Sequence, residues 1–156
     1  MTDQPSTYHL AQVNIARMRA PLTEPLMAGF VAQLDKINAL ADQSPGFVWR
    51  LKTDDGNATS IHAFDDALLI VNMSVWESID ALYEFTYHSD HVQVFRQRTD
   101  WFERMTAPAF ALWWLPAGKT PTVGDAKTRL EYLHQHGCTA SAFNFKTPFP
   151  APEGTV

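Results

Sequence analysis

The chain has 156 residues, 46% hydrophobic, 19% charged and 12% aromatic, with 12 Lys and Arg against 17 Asp and Glu. That length suits one domain with a sizeable core, the net charge of −5 speaks against a nucleic-acid surface, and the single Cys138 rules out an internal disulfide framework or a cysteine-rich zinc module. No basic-then-apolar leader occurs, nor any uncharged apolar run near ~20 residues, so a cytoplasmic protein away from membranes is expected.

Residues 1–7 read as a loose polar arm. Residues 8–16 alternate, with Leu10, Gln12 and Asn14 on one face and Ala11, Val13 and Ile15 on the other, the pattern of a strand covered on both sides. Glu24-Pro25 starts a helix whose stripe is Met27, Phe30, Val31, Leu34, Ile37, Asn38 and Ala41, and Pro45-Gly46 stops it. A strand over 47–53 follows, then the turn Asp54-Asp55-Gly56-Asn57, a short hairpin partner over 58–64, and a strongly strand-like run over 67–76. Ser78 caps a helix carrying Ile79, Leu82, Tyr83 and Thr86, and Ser89 caps a second one over about 90–104. Residues 109–115 form the last strand. Thr122 and Asp125 make a near capping box for a helix with the stripe Val123, Ala126, Leu130 and Leu133, ended by Gly137. The Pro-rich tail, 146–156, is expected to be extended or disordered.

This order predicts an α+β fold, ferredoxin-like βαββαβ, with a four-stranded antiparallel sheet, an inserted short hairpin and an extra C-terminal helix in one domain over 8–145. Helices on one face leave the other sheet face bare. Its alternating residues are still apolar, which predicts a homodimer through that face.

The residues with chemistry fall into two groups. Gln12 and Asn14 share one face of the first strand, and Asn72, Ser74 and Trp76 share one face of the third. A covered Asn needs partners for carbonyl and amide, so these residues either specify register or orient a ligand in an aromatic-lined pocket. The second group is Tyr87 together with His91, Phe95, Arg98 and Phe102 at helical spacing, with Trp101 beside them. His91 is there a candidate base or axial ligand and Arg98 a clamp for an anion, against an exposed His near a cap and an Arg reaching solvent or Asp100. His88 and His91 lack a third metal ligand nearby, His134 and His136 suit the end of a helix, and Cys138 reads as an inert thiol. No metal site is expected. Glycine-rich phosphate loops, a GxSxG elbow and HExxH are all absent, which removes support for phosphoryl transfer, dinucleotide binding and serine hydrolysis.

The blocks Leu10-Ala11-Gln12-Val13-Asn14-Ile15-Ala16-Arg17, Pro45-Gly46-Phe47-Val48-Trp49-Arg50-Leu51, Val71-Asn72-Met73-Ser74-Val75-Trp76-Glu77-Ser78 and Leu112-Trp113-Trp114-Leu115-Pro116-Ala117-Gly118 carry a resemblance. Over about residues 8–145 the chain resembles a bacterial domain-of-unknown-function family of the dimeric α+β barrel superfamily, which also holds antibiotic-biosynthesis-type monooxygenases and haem-degrading enzymes. The resemblance implies a dimeric α/β barrel and a pocket between sheet and helices. By likeness to monooxygenases that need no cofactor, Asn14, Asn72 and Trp76 would orient an electron-rich aromatic or apolar substrate, with Gln12 and Ser74 beside them and Trp49 and Trp113 lining the pocket. His91 and Arg98 would supply proton or charge chemistry. The haem-degrading relatives imply an alternative in which His91 binds haem iron beside Asn14 and Trp76. A non-catalytic dimeric binding module is the third reading.

Overall fold

The computed structural model describes residues 8–51, 68–88, 96–103 and 109–152. The expected arm, the hairpin over 58–64, His91 and Phe95 lie outside the described residues. Strand β1 (Tyr8–Met18) runs through the middle of the sheet. On one side it pairs antiparallel with β3 (Leu69–Trp76), which in turn pairs with β2 (Phe47–Arg50). On the other side the first half of β1 pairs with β5 (Phe110–Pro116) and its end with the two-residue β4 (Phe102–Glu103). The main strands therefore lie in the order β2-β3-β1-β5, which is the ferredoxin-like order. A central strand has both faces covered, so β1 is apolar at alternate positions on one side and mixed on the other.

Helix α1 (Ala28–Gln43) follows a single turn of 3-10 helix, Pro25–Met27, in which proline costs nothing because its missing N–H would have had no partner there. Ser44 ends α1, its hydroxyl donating to the Leu40 carbonyl at 2.8 Å. Gly46 then adopts φ +81, and a Cβ there would stand 2.5 Å from Ala81 Cβ, so only glycine lets the α1–β2 turn press against α2 (Ile79–His88). The Ser78 hydroxyl accepts from the Ala81 N–H at 3.1 Å, as an N-cap should.

The helix expected over about 90–104 ends earlier than its periodicity suggested. Helix α3 is the single turn Arg98–Trp101, and Phe102 already has extended backbone as it enters β4. Phe102 pairs with Met18 of β1, and Phe30 of α1 meets Trp101 at 5.6 Å and Phe102 at 5.0 Å between ring centroids. The Arg17–Glu103 ion pair also ties β4 to β1.

The two sheet faces close differently. Ala11, Val13, Ile15, Val71, Met73, Val75, Ala111, Trp113 and Leu115 form one buried cluster with Ala126, Leu130 and Leu133 of α4 (Val123–His136). This is the face expected to be bare. The C-terminal helix packs on it, so among the described residues that face does not show the exposed apolar patch that motivated a homodimer. Helices α1 and α2 contribute to the opposite face, in a cluster of Leu10, Ala41, Trp76, Leu82, Leu112 and Phe143 and another of Met18, Met27, Phe30 and Trp101. Among the described residues, no helix is long and apolar enough to cross a membrane.

After Gly137 the chain turns from α4 round the free edge of β5. Leu112 and Phe143 exchange backbone hydrogen bonds of 2.8 and 2.9 Å, and the Trp114 indole donates to the Phe149 carbonyl at 2.9 Å. The described part of the tail begins in a turn at Lys146 and is anchored to the sheet through Phe149. Because α4 closes a whole face, Leu130→Ala is expected to cost about 2–5 kcal/mol in urea unfolding. Thr122→Ala, which removes only the capping box at its start, should cost about 0.5–2 kcal/mol in the same measurement.

Candidate functional site

Alternation along β1 and β3 puts Gln12, Asn14, Asn72, Ser74 and Trp76 on the helix-facing side, and antiparallel register makes them neighbours. Gln12 stands opposite Ser74, Asn14 opposite Asn72, and Leu10 opposite Trp76. Directly paired residues hold their Cβ atoms about 4.5–5.5 Å apart, within reach of one another's side chains.

Four of the five join one hydrogen-bond chain. The Trp76 indole donates to the Ser74 hydroxyl at 2.8 Å. The Gln12 amide nitrogen donates both to Ser74 Oγ at 2.8 Å and to Asn72 Oδ1 at 2.7 Å. Gln12 is 5% exposed and Trp76 1%, so these donors are spent inside the protein. Asn72, at the outer end of the chain, is exposed, as is Asn14 beside it. Asn14 makes no side-chain hydrogen bond to a described residue. An exposed Asn in the central strand, on the face that α1 and α2 cover elsewhere, marks an opening in that layer.

Its chemistry follows from the chain of bonds. Asn72 turns its oxygen inward to Gln12, which leaves its amide N–H groups facing outward. The floor therefore presents donors, with Asn14 adding a donor or an acceptor. Phe110 of β5 is paired with Asn14 on its other side, and aromatic rings continue from there. Phe145 lies 5.3 Å from Phe110, 5.4 Å from Tyr83 and 5.9 Å from Tyr87, measured between centroids. On the buried side, Phe85 stacks on Trp76 at 5.1 Å and Phe47 meets its edge at 5.5 Å.

The expected site residues thus separate. Gln12, Asn14, Asn72, Ser74 and Trp76 come together, and Tyr87 belongs to the aromatic side of the same opening. Trp76 is a buried support and has no surface to offer a ligand. Trp49 and Trp113 do not join them, because both pack in the cluster under α4, across the sheet. Trp113 is 2% exposed and carries the Arg129 guanidinium over its ring at 5.9 Å. Trp101 is buried among Met18, Met27 and Phe30, and Arg98 stands exposed on the turn before it. Phe110 and Phe145 escaped sequence reasoning. The parity of Phe110 with Leu112 and Trp114 was a signal for the first, and nothing local marked the second.

A separate groove of about 520 Å³ runs between the α1–β2 turn and α2, with Gly46, Glu77, Asp80, Glu84, Phe85 and His88 among its lining. None of the expected site residues lines it. Among the described residues, no group of three or more His, Cys, Asp or Glu side chains is placed to hold a metal ion.

The family described as a domain of unknown function, DUF3291, matches residues 9–156. The chain belongs to this family. The matched residues include α4 and the segment anchored along β5. No curated protein matches the chain. Among solved structures, PA3566 from Pseudomonas aeruginosa is similar, with 13% identity and a TM-score of 0.49, covering 75% of this chain and 100% of its own. A putative antibiotic biosynthesis monooxygenase from Nitrosomonas europaea has 12% identity and a TM-score of 0.46, covering 78% and 100%. SnoaB, a cofactor-independent oxygenase from Streptomyces nogalater, has 17% identity and a TM-score of 0.44, covering 72% and 95%.

Ser74→Ala removes the one acceptor shared by the Trp76 indole and Gln12. Leaving buried donors unpaired should lower the unfolding free energy by about 1–3 kcal/mol in chemical denaturation. The indole N–H resonance of Trp76 should shift in the same variant.

Proposed function

We propose that this DUF3291 chain binds a small, largely aromatic or apolar molecule over the Asn14–Asn72 floor and acts on it as a monooxygenase. The observation that carries this reading is the exposed pair Asn14 and Asn72, with Asn72 held by Gln12 and Gln12 by Ser74, beside the Phe110–Phe145 rings. Few placed polar groups among apolar ones is the composition of a small-molecule site. The outward N–H groups of Asn72 suit an acceptor oxygen, best a phenolate or enolate, because hydrogen bonds to charged groups are the stronger ones.

Such a ligand is electron-rich once its proton has left, and it can reduce O2 itself. For α-naphthol the balance closes without another reactant. One oxygen atom enters the ring para to the hydroxyl, the other leaves as water with the two displaced hydrogens, and the para-quinone remains. All four electrons come from the ligand. In this reading Asn72 and Asn14 hold the oxygen, Gln12, Ser74 and Trp76 position Asn72, and no cofactor is needed. His91, which lies outside the described residues, is assigned the proton step.

Calorimetric titration with α-naphthol tests the binding. Asn72→Asp keeps an acceptor toward Gln12 and replaces the outward donor with a carboxylate oxygen. It should weaken α-naphthol about tenfold or more, the loss of one charge-assisted hydrogen bond, with little change in melting temperature. Wild-type affinity in that variant would remove the donor role. Oxygen uptake with α-naphthol tests turnover, and His91→Ala should abolish uptake while leaving binding in place.

A further inference from the structure

We infer that Phe145 is the specificity-determining residue of this opening, and that the C-terminal segment is the strap that holds it there. The inference rests on the reading of the Asn14–Asn72 floor given above.

Phe145 is the ring that links the three elements around the floor's aromatic side. Phe110 is the register partner of Asn14, and Phe145 packs on Phe110 at 5.3 Å with an interplanar angle of 32°. Its other neighbours are Tyr83 and Tyr87 on α2, met edge-on at 5.4 and 5.9 Å. The tyrosines are 43% and 37% exposed and Phe145 is half-buried, so this wall keeps solvent-exposed aromatic surface that a core residue would not.

The backbone on both sides of Phe145 is fastened by bonds that do not involve its ring. Before it, Leu112 and Phe143 exchange two backbone hydrogen bonds. After it, Asn144 Oδ1 accepts from the Lys146 and Thr147 N–H groups at 2.9 and 3.3 Å, and the Phe149 carbonyl accepts from Trp114. A ring mounted on so constrained a turn is held in place before any ligand arrives, which spares the cost of ordering it on binding. A flat ring system lying on the floor with its oxygen at Asn72 meets a ring wall of matching shape, whereas a puckered ring of the same size does not. The site therefore selects planar aromatic ligands, and Phe145 sets that preference.

The test compares α-naphthol with decahydro-naphthol, which has the same oxygen and a similar outline but no flat rings. Wild-type protein should prefer α-naphthol. Phe145→Leu and Phe145→Met, which keep apolar volume without a ring, should each reduce that preference by roughly 2- to 10-fold, the worth of one aromatic pair. Phe145→Tyr should preserve the preference. Phe149→Leu, which alters the same strap away from the wall, should preserve it too. An unchanged preference in Phe145→Leu and Phe145→Met, with Asn72→Asp still impairing α-naphthol, overturns the role of Phe145 and leaves the floor intact. Binding of neither ligand to the wild-type protein overturns both.

Discussion

Two indispensable donors meet on one oxygen in the middle of this sheet. The Ser74 hydroxyl accepts from the Trp76 indole, which can only donate, and from the Gln12 amide across the β1–β3 pair. Burying either donor unpaired would cost about 1–3 kcal/mol, so the bond set fixes both side chains. Trp76, once fixed, is the ring against which Phe47 and Phe85 pack, and through them β2 and α2 are seated. Gln12, once fixed, turns Asn72 so that its donors face outward. One serine thus joins the apolar packing of the helix layer to the polar floor of the opening.

The two sheet faces have divided roles. Under α4 the sheet is closed by apolar side chains, with Trp113 among them, and that face is core. On the helix-facing side the apolar packing splits into two clusters, one around Trp76 and one around Trp101, and the Asn14–Asn72 row belongs to neither. The C-terminal region serves both sides. Helix α4 covers the first face, Phe143 pairs along the β5 edge, and Phe145 reaches the aromatic wall of the second. What the strand order would present as an appendage to a ferredoxin-like unit therefore completes it.

Local signals in the sequence were good wherever a short-range interaction decides the outcome. The Ser78 cap, the Thr122–Asp125 capping box and the Gly137 stop are all present, because each depends on atoms within four residues. Alternation likewise placed Gln12 with Asn14 and Asn72 with Ser74 and Trp76, since side-chain direction along a strand has a period of two. Where both parities are apolar, alternation carries no sense of direction. Residues 110–115 are such a run, so Trp113 was expected at the pocket and instead lies across the sheet. The helical stripe past Trp101 failed for another reason, since Phe102 leaves the helix to pair with Met18 of β1, more than eighty residues earlier in the chain.

The sequence by itself determined which residues could share a face, where the capped helices at Ser78 and Thr122 begin, and the ferredoxin-like order of strands. Only the tertiary structure decided which face α4 would cover, that Gln12 would meet Ser74 and Asn14 meet Asn72, and that a Pro-rich tail would bring Phe145 to the opening. The division follows from range. Caps and alternation are set by neighbours along the chain, whereas register and docking are set by burying apolar surface between segments far apart in it, as Leu10 and Phe143 are in one cluster.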